Sequence, residues 1–327
     1  MHLPEQIHGV PMKNLRVGVV GCGGRGRGHM RLLHSFADTD LVAVCDPFEE
    51  SSKKAGEQFS VAARYETVEE MLDSEELDAV VIATPAHLNA QAALPGLERS
   101  IDTLMEKPPG MHPDETRALK AAAQKSGARC MVGWNRRFDP YVRRAQSEIK
   151  ARGSIYQLVG EFHKSLSGFV ASGRFPVEVL DNFLLETPIH SIDLVRHLAG
   201  APVAEVHSFV RRVSAYKDVY AALVVFENEC VAQISANYTT DARLERYEIH
   251  GRDISAYLEG ISGGEIVCDG ERRPIEVAGP DSTAAQNRYF FDCIKEGRPI
   301  GAPAADLDEA IATMELAAAI LAGLRKP

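Results

Sequence analysis

Three stretches of the 327-residue chain place chemically useful side chains at informative spacings. Gly21, Gly23 and Gly26 form a Gly-x-Gly-x-x-Gly turn between the apolar run Val17 to Val20 and a helix-like segment, His29 to Phe36. In such a turn the first glycine permits the tight bend, the second lets backbone approach a pyrophosphate, and the third lets helix pack on strand. The helix N-terminus then offers unpaired N–H groups and the positive end of its dipole to an anion, with Arg25 and Arg27 as added charge. Asp46 ends a second apolar strand, Leu41 to Cys45, 20 residues beyond Gly26. A dinucleotide-binding unit puts the carboxylate that receives the ribose hydroxyls at about this distance. The same glycines could form a structural turn without a ligand, but strand, helix and acid together favour a bound dinucleotide. Asp46 suits an unmodified ribose and repels a 2′-phosphate, so NAD is expected over NADP, while an Arg25 turned toward that phosphate would favour the reverse.

The second stretch is Met105-Glu106-Lys107-Pro108-Pro109, which follows a short strand, Thr103 to Met105. Ligands of an open parallel sheet sit beyond the carboxyl ends of its strands, so Lys107 is well placed, and Pro108 restricts its backbone. A solvated lysine before a turn is the plain structural alternative. The third stretch holds Glu186, His190, Asp193 and His197, spaced 4, 3 and 4 apart, which places all four on one broad face of a helix. Its pattern matches no strong metal signature, and no metal is expected. Asp193 and His197 also fit a buried pair within the helix. Asn135 and Arg136 follow the strand Arg129 to Val132 and are candidates for contact with nicotinamide, substrate or both, with a structural ion pair as the equal alternative for Arg136.

The elements that must position these residues alternate through the first part of the chain. Helical spacing covers Glu49 to Phe59, Val68 to Asp73, His87 to Arg99 and Pro113 to Ser126, and an apolar strand runs from Asp78 to Thr84. Alternation of strand and helix predicts right-handed crossovers and a doubly wound parallel sheet of the Rossmann type, over residues 1–133. After the helix Pro140 to Ala151, strands follow strands: Ile155 to His163, Val203 to Val213, Tyr220 to Phe226, Cys230 to Tyr238, Glu245 to Gly251 and Ile254 to Glu259. Residues 134–327 therefore read as an α+β domain with a large open mixed or antiparallel sheet, helices on one face and an oligomer interface on the other. The closing helix, Leu307 to Leu324, has a face that suits either domain. The fold class is thus α/β with a second, α+β domain.

Composition excludes several partners. A net charge of −10 disfavours nucleic acid and anionic membranes, and the six cysteines include no Cys-x-x-Cys pair. No apolar run approaches the length of a membrane span, and the polar segment Met1 to Lys13 reads as a loose extension. A cytoplasmic protein is expected.

Taken together, the glycine loop, Asp46, Thr84-Pro85, Glu106-Lys107-Pro108, the helix with His190 and Asp193, and the tract Asn287 to Pro299 make the chain resemble the Gfo/Idh/MocA family of NAD(P)-dependent oxidoreductases over nearly its whole length. The resemblance implies that Gly21, Gly23, Gly24, Arg25, Gly26 and Asp46 hold NAD. It adds Thr84, Pro85, His87, Glu106, Lys107, Asn135 and Arg136 as further cofactor contacts. It also implies that His190 accepts a proton from a substrate hydroxyl while Lys107 binds the reacting oxygen, on a sugar, inositol or related polyol. Lys107, Arg136, Glu186, His190, Tyr238 and Arg243 are expected to meet substrate. Glu186 stands where the family commonly has Asp, and Asn89 where it often has His. A redox glycosidase, which oxidises transiently, eliminates an aglycone and reduces the product, is the alternative within the family. A dinucleotide-sensing protein without catalysis is the alternative outside enzymology.

Overall fold

The computed structural model describes residues 13–241 and 243–324. The extension expected at Met1 to Lys13 lies almost wholly outside them. Strands β1 (Leu15–Val20), β2 (Thr39–Cys45), β3 (Ala63–Tyr65), β4 (Ala79–Ile82), β5 (Asp102–Met105) and β6 (Cys130–Val132) form one parallel sheet in the order β3-β2-β1-β4-β5-β6. Helices α1 (Gly24–Ser35), α2 (Glu49–Phe59), α3 (Val68–Ser74), α4 (Asn89–Glu98) and α5 (Pro113–Ser126) make the connections. Residues Ala79–Ile82 and Asp102–Met105 are buried throughout, as central strands covered on both faces must be. Strand order reverses between β1 and β4, which opens a crevice at their carboxyl ends. Local rules set the helix ends: Thr67 and Glu70 form a capping box on α3, and Gly127, at φ +80°, ends α5. Strand β3 is too short to announce itself by alternation, and α1 begins inside the glycine turn, five residues before apolar spacing becomes visible.

Beyond β6, the chain passes through a 3-10 turn, Asn135–Phe138, into α6 (Pro140–Arg152) and β7 (Ile155–His163). Two short helices, α7 (Ser167–Ser172) and α8 (Val177–Asp181), and a 3-10 turn, Phe183–Leu185, lead into α9 (Ile189–Ala199). Seven strands follow: β8 (Val203–Arg212), β9 (Lys217–Phe226), β10 (Val231–Asn237), β11 (Leu244–Gly251), β12 (Ile254–Leu258), β13 (Gly264–Cys268) and β14 (Glu271–Pro274). With β7 they build a mixed sheet in the order β14-β13-β12-β11-β7-β10-β9-β8, in which β7 and β10 alone are parallel. Strands β13 and β14 and helices α7 and α8 extend the sequence reading.

Two packing features place α9, the helix that bears His190. Gly160 of β7 has no room for a side chain, because a Cβ there would lie 2.9 Å from Val195 Cγ2, so the missing atom lets α9 rest directly on the sheet. Arg137, 1% exposed, donates Nε and Nη2 to the carboxylate of Asp193, 0% exposed, and ties the 3-10 turn to α9. The expected pairing of Asp193 with His197 is thereby corrected: the guanidinium offers two parallel donors, which an imidazole cannot match. Helix α10 (Ser282–Lys295) returns to the first sheet, packing Phe290 and Phe291 into the cluster that holds Val17, Val19 and Leu33. Helix α11 (Leu307–Leu321), ending three residues before the expected Leu324, packs on α5 as well as on α9 and β8 and so joins both sheets.

Replacing Arg137 with Ala strands the Asp193 carboxylate and is expected to cost about 3–5 kcal/mol in urea unfolding. A loss under about 1 kcal/mol would show that this pair does not hold α9 in place.

Candidate active site

At the crevice, Gly21 adopts φ +92°, and a Cβ on it would lie 2.4 Å from the Ala83 carbonyl oxygen. A Cβ on Gly26 would lie 1.7 Å from the Gly21 carbonyl oxygen, so both positions demand glycine. Gly23 and Gly24 are different: a Cβ at either meets nothing within 4 Å, leaving the mouth of the loop open. No side chain caps α1, so its first N–H groups remain available to an anion. Asp46 accepts the Cys22 N–H through Oδ2 at 2.8 Å and the Phe48 N–H through Oδ1 at 2.9 Å. Its carboxylate thus braces the loop and keeps lone pairs for ribose hydroxyls. Burial and the Asp46 charge push the Cys22 thiol up to about 12, so it fills space as a neutral group. Loop, helix end and acid fit a dinucleotide. Arg25 does not turn toward the ribose: its Nε donates to Glu106 Oε1 at 2.5 Å, which removes the one reason to expect a 2′-phosphate partner there.

Glu106 lies at the carboxyl end of β5 and is almost fully buried. Burial alone would raise its carboxyl, but Arg25, His29 and Lys107 outweigh that and hold it at about 2. It is an ionised anchor. His29 Nε2 lies 2.9 Å from Glu106 Oε1, and the other ring nitrogen meets Asn287 Nδ2 of α10 at 2.9 Å. Asn89, which sequence reasoning noted only as a departure, clamps the segment: its Nδ2 donates to the carbonyls of Glu106 and Pro108, on either side of Lys107, and its Oδ1 accepts from Thr84 Oγ1 at 2.8 Å. Pro85 is exposed beside this clamp, and His87, in the 3-10 turn Ala86–Leu88, keeps a buried Nδ1 without a hydrogen-bond partner.

Lys107 Nζ donates to the backbone carbonyl of Glu186 and lies 3.9 Å from Glu186 Oε1. Glu186 does not share a helix face with His190, as the spacing suggested. Pro188 is the N-cap of α9, so Glu186 sits outside it, at the end of the 3-10 turn. His190 occupies the first turn of α9, buried, with Nδ1 unpaired among the described residues. Burial and then the nearby charges of Arg136, Lys107, Arg25 and Arg243 drive its pKa well below the usual value. The resting imidazole is therefore neutral, with one ring nitrogen able to accept a proton.

The remaining candidates divide. Arg136 grips Glu245 through two bonds of 2.9 Å, and Arg243 reaches the same carboxylate at 3.0 Å. Asn135 is buried and donates to Ser282 Oγ at 2.9 Å and Thr283 Oγ1 at 3.2 Å, at the start of α10. Tyr238 does not line the crevice: it is 2% exposed, its hydroxyl donates to the Phe183 carbonyl, and its ring meets Phe183 edge-on. An aromatic ring this large at a strand end served packing instead of recognition. Lys164 was not read from the sequence. It follows β7 and sits over the Phe169 ring, 4.2 Å from its centroid. Glu186, Arg243 and Lys107 lie within its electrostatic reach. Among the described residues, no group of three or more His, Cys, Asp or Glu is arranged to hold a metal ion.

Comparison with known proteins identifies relatives of the chain. A family profile described as an oxidoreductase family with an NAD-binding Rossmann fold matches residues 15–134, and one described as the GFO/IDH/MocA C-terminal domain matches residues 143–257. The chain is 27% identical over 265 residues to scyllo-inositol 2-dehydrogenase (NAD(+)) of Bacillus subtilis, covering 77% of this chain and 73% of that one. It is also 27% identical over 320 residues to the rhizopine catabolism protein MocA of Rhizobium meliloti, covering 95% and 96%. Among solved structures, levoglucosan dehydrogenase in complex with NADH and L-sorbose superposes with a TM-score of 0.84 at 21% identity, covering 95% and 97% of the two chains.

A direct consequence of the charges around His190 is measurable by nitrogen-15 NMR, with a His190→Gln variant supplying the assignment. The ring is expected to titrate below pH 6.5, and Lys107→Met is expected to raise its midpoint. A midpoint at or above 6.5 in the unchanged protein would contradict the charge arrangement.

Proposed function

The chain belongs to the Gfo/Idh/MocA family of NAD-dependent oxidoreductases, and from that premise we propose that it oxidises a secondary hydroxyl of a sugar, inositol or related polyol, or reduces the matching ketone. The observation that carries this reading is that Lys107, from the first sheet, reaches the Glu186 carbonyl just ahead of the helix on the second sheet whose first turn bears His190, beside the dinucleotide crevice.

The chemistry follows from the two groups. The neutral His190 imidazole takes the hydroxyl proton, and the Lys107 ammonium steadies the negative charge that develops on the oxygen. NAD, when bound, supplies the hydride acceptor. Glu186 orients Lys107 through its backbone carbonyl and its carboxylate, and Arg136 shapes the wall while opposing protonation of His190. Asp46 receives the ribose hydroxyls. The sheet face away from the helices exposes Tyr156, Leu223 and Val231, which supports a homodimer or homotetramer formed through it. All six cysteines are free, which accords with a reducing, cytoplasmic setting. Among the described residues, no helix is long and apolar enough to cross a membrane.

Lys107→Ala and His190→Ala are each expected to lower turnover by about 100-fold or more while NAD affinity stays within a few fold. Unchanged turnover in either variant removes that residue from the reaction. The assay is a screen of cyclic polyols, sugars and aryl glycosides with NAD; accumulation of NADH supports a dehydrogenase, and aglycone release without NADH supports the redox glycosidase. Asp46→Asn is expected to narrow the preference for NAD over NADP at least about tenfold, the worth of one charge-assisted hydrogen bond. An unmoved ratio of kcat/KM values would place the ribose elsewhere.

A further inference from the structure

Beside the crevice, two carboxylates each gather cations from different elements. Glu245 is shared by two guanidiniums, bidentate to Arg136 and 3.0 Å from Arg243. Glu186 is shared by two ammoniums, 3.9 Å from Lys107 and within electrostatic reach of Lys164. Lys107 also faces Glu106, and Arg136 also faces Asp139, so Lys107, Arg136 and Arg243 are all matched by carboxylates.

Lys164 is the exception in this group. No carboxylate lies within ion-pair distance of it among the described residues, and its ammonium rests on the faces of Phe169 at 4.2 Å and Phe183 at 6.0 Å. Its backbone is fixed as well, the N–H donating to the Asn237 carbonyl at 3.0 Å. Half-burying an ammonium against aromatic rings costs hydration that the ring faces only partly restore. Phe183 belongs to the 3-10 turn that leads directly to Glu186, so Lys164 stands on the same wall as the Lys107 contact. Arg243, 56% exposed at its side chain, adds a second cation at the rim.

We propose that Lys164, with Arg243 at the rim, recognises a carboxylate on the substrate, so that this enzyme acts on a sugar acid instead of a neutral sugar or inositol. The proposal rests on the dehydrogenase reading above and narrows its substrate class. A carboxylate suits a single ammonium and one partly engaged guanidinium, whereas a phosphate dianion is usually met by several backbone N–H groups or free bidentate arginines. Here the bidentate arginine, Arg136, is already taken by Glu245.

The test pairs sugars that differ only in the acid group: D-galacturonate with D-galactose and D-glucuronate with D-glucose, with glucose 6-phosphate as a phosphate control. The acid of at least one pair is expected to have a kcat/KM about tenfold or more above its neutral partner, as one charge-assisted contact provides. Lys164→Met, which keeps the chain over Phe169 but removes the charge, is expected to bring that ratio close to one, mainly through KM, while Lys164→Arg retains most of it. A preference for the neutral sugars or the phosphate, or a ratio that Lys164→Met leaves unmoved, overturns the proposal and leaves the dehydrogenase reading intact. If no sugar yields NADH, calorimetric titration of the NADH-loaded protein decides the matter separately. Tighter binding of the uronate than of its neutral partner, abolished by Lys164→Met, supports carboxylate recognition, and equal binding refutes it.

Discussion

An imidazole surrounded by positive charge cannot easily take on a proton of its own, and that constraint organises this molecule. His190 sits buried within reach of Arg136, Lys107, Arg25 and Arg243. Each comes from a different place: Arg25 from the glycine loop, Lys107 from just after β5, Arg136 from the turn before α6 and Arg243 from just before β11. Only the junction of two sheets brings them together. Lys107 crosses that junction to the Glu186 carbonyl and so ties the backbone just ahead of α9 to the first sheet.

Buried acids are used throughout as anchors. Asp46 braces the glycine loop, Glu106 collects Arg25 and His29, Glu245 holds Arg136, and Asp193 holds Arg137. Each is a charge removed from water, tolerable because its partners supply geometrically matched donors. The consequence is that the His190 ring and the Lys107 ammonium are surrounded by side chains with little freedom to move. Asn89 illustrates the point: two of its hydrogen bonds hold the carbonyls on either side of Lys107, and a third, from the Thr84 hydroxyl, holds Asn89 itself.

Much of this was legible in the sequence, and the pattern of what was not is physical. Gly21 and Gly26 announced themselves because their conformations or clearances exclude every other residue, and Asp46 because strand length fixes its distance from the loop. The strands β4 and β7 were readable from apolar runs or alternation. Lys164 was invisible, because a lysine after a strand looks like any solvated lysine until the rings of Phe169 and Phe183 are folded beneath it. Tyr238 misled for the opposite reason, as its neighbours in the aromatic cluster, Phe183 and Tyr220, lie far away along the chain. The spacing of Glu186 and His190 suggested one helix, but Pro188 caps that helix between them and moved Glu186 toward Lys107.

The most direct test of the account is a crystal structure of the protein with NADH and a polyol or sugar acid bound. The account predicts one substrate oxygen within about 3 Å of both the Lys107 ammonium and a His190 ring nitrogen, its carbon facing the nicotinamide. A substrate oxygen that touches neither group, or a nicotinamide lying outside the junction of the two sheets, would contradict it.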